Sequence, residues 1–394
     1  MQDNYFREIP HNWDISKFGD LAKITCGIAA TPEYVDATVG VPFLSARNVQ
    51  NGRLDLKYFQ YIPIELHKKL TKNTKPQKGD ILLTRVGAGI GDAAVVNIDF
   101  DFSIYVSLTL IKCGKKLDSE FVTLLLRTSY YRYLATRDQF AGGGVQNLNV
   151  QMVKEYPIIV PPLAEQQKIA QILSTWDKGI AVTEQLLANS QQQKKALMQQ
   201  LLTGKKRLLD ENGVRFEGEW EEVLLGDIAK ITTGSSNRQD SNLNGEYTFF
   251  DRSEDIRTSN IYLFDCEAVI VPGEGQDFVP KYFVGKFDLH QRTYAIMDFI
   301  SHDGKFLFYA IHYFRSYFLS QAVGSTVKSL RLPMFQKMKI SLPELAEQQK
   351  IAKVLSTADQ EIEALQRKLD GLQQEKKALM QQLLTGKRRV KVAA

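Results

Sequence analysis

The feature that most constrains this chain is an internal repeat. LAEQQKIAQILST at 163–175 recurs as LAEQQKIAKVLST at 345–357, and KKALMQQLLTGK at 194–205 recurs unchanged at 376–387. Both pairs are separated by 182 residues, so the two segments align without a gap. WDISKFGDLAKITCG at 13–27 is related to WEEVLLGDIAKITTG at 220–234, 207 residues later. The chain therefore contains one architecture twice, each copy consisting of a variable segment followed by a conserved one.

Proline usage marks the boundaries of these segments. All twelve prolines lie in or at the edges of 1–162 and 272–343. Because proline breaks helix interiors, the proline-free stretches predict long helices that end at Gly204 and Gly386. In chain order, these boundaries predict a first globular domain over 1–162, a central helix over 163–207, a second globular domain over 208–343 with a connector at 208–219, and a C-terminal helix with a basic tail over 344–394.

Each predicted helix carries one apolar seam with steps of four and three residues, which is typical of a coiled coil. The first seam comprises Ile169, Leu173, Trp176, Ile180, Thr183, Leu187, Ser190, Lys194, Leu197 and Leu201. The second comprises Ile351, Leu355, Ala358, Ile362, Leu365, Leu369, Leu372, Lys376, Leu379 and Leu383. One narrow seam requires a partner, so we expect the helices to pair antiparallel with a pseudo-twofold repeat. The alternative is two separate helices, each capping its own domain.

The two globular segments have the pattern of short, buried strands. VPFLSARNV, DILLTRV, DAAVVNI, SLTLIKC and YPIIV in the first, and EAVIVP, KYFVGKF and RTYAIM in the second, are apolar runs bounded by turn residues. Single helices are expected at 119–136 and 305–322. The predicted fold class is therefore α+β, with two strand-rich domains separated by two long helices.

Composition excludes several classes of protein. The chain has 394 residues, is 44% hydrophobic and 24% charged, and carries a formal net charge of +5, all within the range of globular proteins. Its three cysteines are far apart in sequence, and no apolar run is long enough to span a bilayer. These features favour a cytoplasmic protein with no membrane partner. The mild basic excess permits a nucleic-acid partner without requiring one.

No motif in the chain indicates catalysis, a metal or a cofactor. GAGIG at 87–91 follows a predicted strand, but the next segment has a strand pattern and the glycine spacing differs from a dinucleotide fingerprint. The five histidines show no metal-ligand spacing. We therefore expect no catalytic residue, no metal site and no cofactor.

These motifs resemble those of the specificity (S) subunits of type I restriction-modification enzymes. PPLAEQQKIAQILS and LPELAEQQKIAKVLS open the two helices, KKALMQQLLTGK closes them, and G-D-(I/L)-A-K-I-T lies near the start of each domain. NVQNGRLD and GDILLTRVGAGIGDAAVV in the first domain are also similar to the family. The similarity covers nearly the whole chain.

The resemblance implies a non-catalytic, sequence-specific DNA-binding subunit. Each domain would be a target-recognition domain reading one half of a bipartite site in double-stranded DNA. The antiparallel helices would space the two domains and dock two copies of a modification (methyltransferase) subunit. Restriction (motor/nuclease) subunits would join that complex. Catalysis and cofactor binding would belong to these partners.

Candidate DNA contacts are basic and amide side chains interleaved with aromatic residues, because Arg and Asn or Gln read base edges while Lys contacts phosphate. The alternative is ordinary surface charge with the aromatic residues in the core. In the first domain they are Arg47, Asn48, Lys57, Arg85, Gln146 and Asn147. In the second domain they are Arg238, Arg252, Lys281, Lys328 and Arg331, since VGSTVKSLRL aligns with AGGGVQNLNV at the same 182-residue offset. The second domain has no arginine matched to Arg85.

Candidate docking residues for the modification subunit are the polar triplets at the two helix starts, which the coiled-coil seam does not require. They are Glu165, Gln166, Gln167, Glu347, Gln348 and Gln349. Two other functions stay open from the sequence. A structural coiled-coil scaffold would explain the helices but not two basic-aromatic domains, and a stand-alone DNA methyltransferase would need cofactor motifs.

Overall fold

The computed structural model describes residues 9–29, 32–137 and 147–392. The chain forms two compact units, one comprising Met1–Val182 with Asp370–Ala394 and the other Thr183–Leu369. The two long helices, Leu163–Leu201 and Leu345–Leu383, therefore each contribute one end to each unit. No helix among the described residues is long and apolar enough to cross a membrane.

The globular part of the first unit contains short strands in small sheets. An antiparallel four-stranded sheet has the order Ala22–Cys26, Leu108–Cys113, Ile81–Thr84, Ala93–Val95. A three-stranded sheet has the order Gln60–Pro63, Gly40–Leu44, Ser103–Ile104. Two antiparallel pairs join Asp14–Lys17 to Pro157–Val160 and Val49–Gln50 to Arg53–Leu54. The helices are Phe18–Leu21, Ile64–Thr71, Ser119–Leu126, Ser129–Arg137 and Val150–Lys154, with a 3₁₀ turn at Ala46–Asn48.

The second unit is built around a larger sheet. Its six strands have the order Lys230–Thr233, Thr293–Met297, Phe264–Pro272, Lys281–Leu289, Tyr247–Phe250, Arg257–Ser259. Two antiparallel pairs join Glu221–Leu224 to Lys339–Leu342 and Glu274–Gly275 to Lys328–Ser329. The helices are Leu225–Ile228, Gly304–Tyr313, Ser316–Gln321 and Leu332–Gln336, with a 3₁₀ turn at Arg238–Asp240.

The core of each unit contains side chains from both long helices. In the first unit, Ile169 and Leu173 from the start of one helix pack with Leu383 from the end of the other and with Phe121 of the domain. In the second unit, Ile351 and Leu355 pack in the same way with Leu201 and Phe306. Every predicted seam residue is buried or half-buried. This packing supplies the partner that each narrow apolar seam requires.

Ion pairs show that the helix ends pack antiparallel within each unit. In the first unit, Lys376 near the end of the second helix lies 2.6 Å from Asp177 near the start of the first. In the second unit, Lys194 pairs with Asp359 in the equivalent way. The predicted α+β class and the antiparallel helix pairing are confirmed.

Glycine ends both long helices. Gly204 and Gly386 have φ of +66° and +74°, a left-handed conformation that costs glycine little. The amide of each donates to a carbonyl in the last helical turn, Gly204 to Leu201 and Gly386 to Leu383. Both helices therefore end near the predicted positions, with a carbonyl of the last turn hydrogen-bonded.

Three local predictions were wrong. The single helix expected at 119–136 is interrupted at Arg127 and Thr128, because the Thr128 hydroxyl donates back to the Leu125 carbonyl and competes with the helical pattern. The helix expected at 305–322 is also two, broken after Tyr313. In VPFLSARNV the strand ends at Leu44, and Ala46–Asn48 form a 3₁₀ turn.

Candidate nucleic-acid interface

An exposed loop in the first domain is held in place by Asn48. Its side chain is buried, and its amide nitrogen donates to the carbonyls of Asp55 and Tyr58 at 2.9 and 2.8 Å. Its amide oxygen accepts from the Ser45 backbone at 2.9 Å. Lys57 is exposed on this loop, and Tyr58 is 88% exposed. The loop therefore presents a cation and an aromatic ring from a fixed backbone.

The burial of Asn48 corrects its predicted role. Its two amide hydrogens and its carbonyl oxygen are committed to the backbone, so the side chain is not available to read a base edge. Arg47 and Lys57, in contrast, are exposed. The DNA-contact prediction remains for these two residues.

The Arg85 side chain is also buried and makes its hydrogen bonds inside the first domain. It is 7% exposed, and its Nε donates to the Leu148 carbonyl at 3.0 Å while its Nη2 donates to the Asn147 side chain at 3.0 Å. These bonds fix the chain where it enters the helix Val150–Lys154, so the predicted direct contact of Arg85 with DNA is corrected to a positioning role. Asn147 itself is exposed, and Gln146 lies outside the described residues.

The second domain has a cationic pocket at the carboxyl ends of its parallel strands Tyr247–Phe250 and Lys281–Leu289. Its volume is about 240 Å³, and its lining residues are Arg238, Asp251, Arg252, His290, Gln291 and Arg292. The pocket thus brings together two predicted contacts, Arg238 and Arg252, that lie on different segments. Burial lowers the pKa of His290, and its Nδ1 accepts from the Arg292 backbone amide at 3.1 Å.

The other three predicted contacts in the second domain differ in exposure. Lys281 is half-buried, and its ammonium donates to the carbonyls of Ser253 and Glu254 at 2.7 and 2.9 Å. Burial lowers the pKa of Lys281, and the two carbonyls hold its charge inside the domain. Its predicted contact with phosphate is therefore corrected to a structural role. Lys328 and Arg331 are exposed.

The helix-start motif proves to be mainly structural. Gln166 is fully buried; its amide nitrogen donates to the carbonyls of Lys116 and Pro161, and its oxygen accepts from the Asp118 backbone. Gln348 repeats this pattern with Pro343 and Asp303. Each glutamine therefore ties the start of a long helix to the domain that precedes it.

The two buried glutamates of the motif bind arginines from beyond the opposite helix. Glu347 is fully buried, and Arg207 donates to its carboxylate from Nε at 2.8 Å and from Nη2 at 2.6 Å. Glu165 is 4% exposed, and Arg389 donates to it from the same two nitrogens. Each arginine also lies over a tryptophan ring, at 5.9 Å from Trp220 and 5.7 Å from Trp13. We call these residues the arginine clusters.

These contacts correct the predicted docking role of four residues. Glu165, Gln166, Glu347 and Gln348 have almost no surface to offer a partner, because the helix–domain junction needs all of their polar atoms. Gln167 and Gln349 are exposed, so the docking prediction remains for these two. Over residues 9–29, 32–137 and 147–392, no three His, Cys, Asp or Glu side chains converge as metal ligands.

Comparison with known families decides the identity of the repeat. The family model described as the type I restriction modification DNA specificity domain matches residues 10–189 and again residues 217–374. The chain belongs to this family. It is a DNA specificity subunit of a type I restriction-modification system, and the resemblance inferred from its repeated motifs is confirmed.

Individual members of the family agree with this assignment. The MjaVIII specificity subunit of Methanocaldococcus jannaschii is 25% identical over 423 residues, covering 97% of this chain and 94% of the relative. The EcoDI specificity subunit of Escherichia coli is 30% identical over 167 residues, covering 42% of this chain and 37% of the relative. The similarity to the archaeal relative therefore spans both repeats.

Solved structures of family members have the same fold. The S subunit from M. genitalium superimposes with a TM-score of 0.65 at 16% identity, covering 96% of each chain. The HsdS subunit from Thermoanaerobacter tengcongensis superimposes with a TM-score of 0.51 at 18% identity, covering 97% of this chain and 98% of the other. At these identities the likeness concerns the fold alone.

The structure adds functional candidates that sequence reasoning missed. Gln291 and Arg292 lie in the pocket of this specificity subunit beside Arg238 and Arg252, and Glu274 links two of the arginines. The sequence feature that could have indicated Gln291 and Arg292 is their position as a polar pair in the turn between the strands Lys281–Leu289 and Thr293–Met297. That signal indicates exposure but does not indicate which distant segment lies opposite.

Proposed function

We propose that each domain reads one half of a bipartite target in double-stranded DNA. The observation that carries this proposal is the double match to the DNA specificity family, one match for each repeat. The exposed residues Arg47 and Lys57 in one domain and the arginine pocket in the other support it, because both place donors on the surface for base edges and phosphates.

We infer further that the chain supplies recognition and no catalysis. Methyl transfer is assigned to two copies of a modification subunit, and cleavage to restriction subunits where the system has them. The exposed Gln167 and Gln349 at equivalent helix positions support a repeated docking site for the modification subunit. A complex of this kind would act on DNA in the cytoplasm.

The test of the proposed function is a methylome experiment. The chain is expressed with the modification subunit of its own system in a host without other methyltransferases, and methylated bases are mapped by sequencing. A bipartite motif is expected only when both proteins are present. A motif formed by the chain alone would reveal catalysis, and the absence of any motif with both proteins would refute recognition.

The docking proposal has its own test. Gln167→Arg and Gln349→Arg place a larger, charged side chain at each exposed position and are expected to weaken association with the modification subunit at least tenfold, measured by calorimetry. Glu184→Arg, at an exposed position in the middle of the first long helix, is the matched control. Equal binding by the double variant and the control would remove these residues from the interface.

We propose that the long helices act as the spacer between the half-sites. Each has 39 residues, about 58 Å of helix. The ion pairs Asp177–Lys376 and Lys194–Asp359 define which residues of the two helices are matched. Midway between these pairs in sequence, the matched insertion points follow Gln185 in one helix and Arg367 in the other. One heptad inserted at both points preserves the seam and adds roughly 10 Å. Methylome mapping should then show a gap longer by about three base pairs; an unchanged gap with intact methylation would contradict the spacer role.

A further inference from the structure

The cationic pocket of the second domain is organised by one carboxylate. The Glu274 side chain is largely buried, with 13% of its surface exposed, and its two oxygens accept from Arg252 and Arg292. Arg252 Nη1 lies 2.9 Å from Oε2, and Arg292 Nη1 bonds to Oε1. Because one carboxylate holds both guanidinium groups, their orientation is set before any ligand binds.

Both arginines keep a donor edge for a ligand. The bonds to Glu274 use Nη1 of each guanidinium, and the group's other donors are on Nε and Nη2. More than half of the surface of each side chain is exposed. Arg238 and Gln291 line the same pocket. The pocket therefore presents several N–H donors toward solvent within a space of about 240 Å³.

The first domain has the same backbone hydrogen bonds at this place. In the first domain, the Arg85 amide donates to the Ser107 carbonyl. In the second domain, the Gly273 amide donates to the Arg292 carbonyl in the same way, so Ser107 is the counterpart of Arg292. The amide of Leu148 donates to Arg85 as that of Leu330 donates to Gly273. Residue for residue, Val86 is thus the counterpart of Glu274.

The counterparts of the other pocket residues follow from a second shared bond. The amide of Tyr105 donates to the Leu44 carbonyl as that of His290 donates to the Phe250 carbonyl. Leu44 and Phe250 also pair in the same way with a parallel strand. Tyr105 is therefore the counterpart of His290, and Ala46, two residues after Leu44, that of Arg252.

The side chains at these four positions thus differ completely, although the two domains share backbone hydrogen bonds around them. Ala46, Val86, Tyr105 and Ser107 stand where the second domain has Arg252, Glu274, His290 and Arg292. Phosphate contacts carry no sequence information, so two domains that bind two DNA segments have no need to differ in them. Base-reading contacts must differ when the two half-sites differ. The contrast between the domains therefore favours base reading at this pocket.

We propose that the arginine pocket of the second domain reads a guanine in its half-site. This inference rests on the proposed function, and it specifies the base. An arginine with a fixed guanidinium group makes a bidentate contact with O6 and N7 of guanine in the major groove. Arg292 and Arg252 are the specificity-determining residues, and Glu274 is the positioning residue that holds them.

The first domain supplies the residues for substitutions at the equivalent positions. Arg252→Ala, Glu274→Val and Arg292→Ser install the residues found at the equivalent positions, and making all three together leaves no carboxylate unpaired. Lys337→Ala, at an exposed position outside the pocket lining, is the control. The variants are assayed with the modification subunit by methylome sequencing, and the half-site of the second domain is identified by exchanging the first domain.

The wild-type motif is expected to contain a G·C pair in the half-site of the second domain. The triple variant should lose discrimination at that position by roughly 5- to 150-fold, the equivalent of a bidentate contact worth about 1–3 kcal/mol, and keep the other positions. Lys337→Ala should keep the whole motif. A half-site made only of A·T pairs would overturn the proposal. So would equal weakening at all sites with an unchanged motif, since that would show phosphate contacts. If the wild-type complex methylates no motif at all, the proposed function itself fails.

Discussion

The two arginine clusters occupy equivalent places, yet they differ in one bond. In the first unit the Glu165 carboxylate accepts from Arg389 and from Trp13 Nε1, the latter at 3.3 Å. In the second unit, within the part of the chain that the structure describes, the Glu347 carboxylate accepts from Arg207 alone and the buried Trp220 Nε1 has no partner. The two clusters are therefore similar, but the stability of the first unit should depend less on its arginine than the stability of the second unit does.

Equivalent residues of the two units are most alike at the helix–domain junctions and differ most at the strand ends. Gln166 and Gln348 make nearly the same bonds in both units. At the pocket, Ser107 and Arg292 accept equivalent backbone hydrogen bonds but have unrelated side chains. The comparison teaches that the junction has been kept as a common support, and that the exposed strand ends carry what distinguishes the two domains.

Exchange of a whole domain has the largest expected effect. We expect replacement of 14–160 with the matching segment of another family member, retaining Trp13, to replace one half of the methylated motif and leave the other intact. The reason is that Glu165 and Gln166, which hold the domain, stay in place. The measurement is methylome sequencing, with exchange of 221–342 as the reciprocal control. A change in both halves after one exchange would show that the domains do not read independently.

Loss of the arginine should affect the second cluster more than the first. We expect Arg207→Met to lower the free energy of unfolding of its unit by about 3–5 kcal/mol, since Glu347 is left as an unpaired buried charge. We expect Arg389→Met to cost about 1–2 kcal/mol, because Trp13 still donates to Glu165 and the Arg389 side chain is 41% exposed.

Hydrogen exchange with mass spectrometry measures the two units separately, which matters because the chain need not unfold in one step. The exposed neighbours Lys206 and Arg388 give matched controls, Lys206→Met and Arg388→Met. Equal losses of protection in the two arginine variants would contradict the asymmetry seen in the clusters.

Acid should destabilise the second unit through His312. Burial lowers the pKa of His312 to about 4, helped by Arg315 and Lys194 and opposed by Asp359, and its ring lies beside Phe308. A depressed pKa means that this stability is present above the unfolded value of about 6.5 and is lost as the pH falls toward 4. The expected loss between pH 7 and pH 5 is about 2 kcal/mol.

The first unit has Arg127 at the equivalent place, nine residues after the N-cap Asp118 as His312 is after Asp303. An arginine does not titrate in this range, so this position of the first unit should contribute no such loss. Any acid loss in the first unit should come from elsewhere, for example from His67, whose pKa burial also lowers. Pulse proteolysis in urea at pH 7 and pH 5, with fragments assigned to each unit, measures the difference. His312→Gln should remove about 2 kcal/mol of the pH dependence of the second unit; an unchanged pH dependence would exclude His312 as its source.

The smallest expected effect concerns the loop that presents Tyr58. Asn48→Ala removes the bonds to the carbonyls of Asp55 and Tyr58 and should destabilise the first unit by about 1–2 kcal/mol, with faster hydrogen exchange at 55–58. Gln50→Ala, at an exposed position on the same segment, should leave exchange unchanged. Undisturbed protection in the Asn48 variant would show that the loop is held by other contacts.

Much of the architecture could be predicted because its signals are periodic. The seam from Ile169 to Leu201 and its copy from Ile351 to Leu383 specify helices and their buried faces, since apolar spacing follows the helical turn. The strands also followed from apolar runs bounded by turn residues. The helix break at Thr128 was missed because a side-chain bond to the backbone leaves no periodic mark.

The candidate site was predicted less well because its residues are polar. A polar side chain can bind a partner at the surface, or it can satisfy a buried backbone or charged group inside the fold. Asn48, Arg85 and Lys281 have the chemistry of DNA contacts, but burial commits them to backbone carbonyls. Glu165 and Glu347 have the chemistry of a docking surface, but they receive arginines from 224 and 140 residues away. Sequence spacing alone does not distinguish these uses.

The sequence by itself determined the family, the repeat and the two long helices, and it predicted their antiparallel pairing, because a narrow apolar seam needs a partner to bury its surface. Tertiary structure decided which polar residues are accessible. Only the folded sheet brings Arg238, Arg252 and Arg292 to one pocket, and only the paired helix ends bury Glu347 beneath Arg207. The physical reason is that burial and charge pairing depend on segments far apart in the chain, whereas helix and strand periodicity is local.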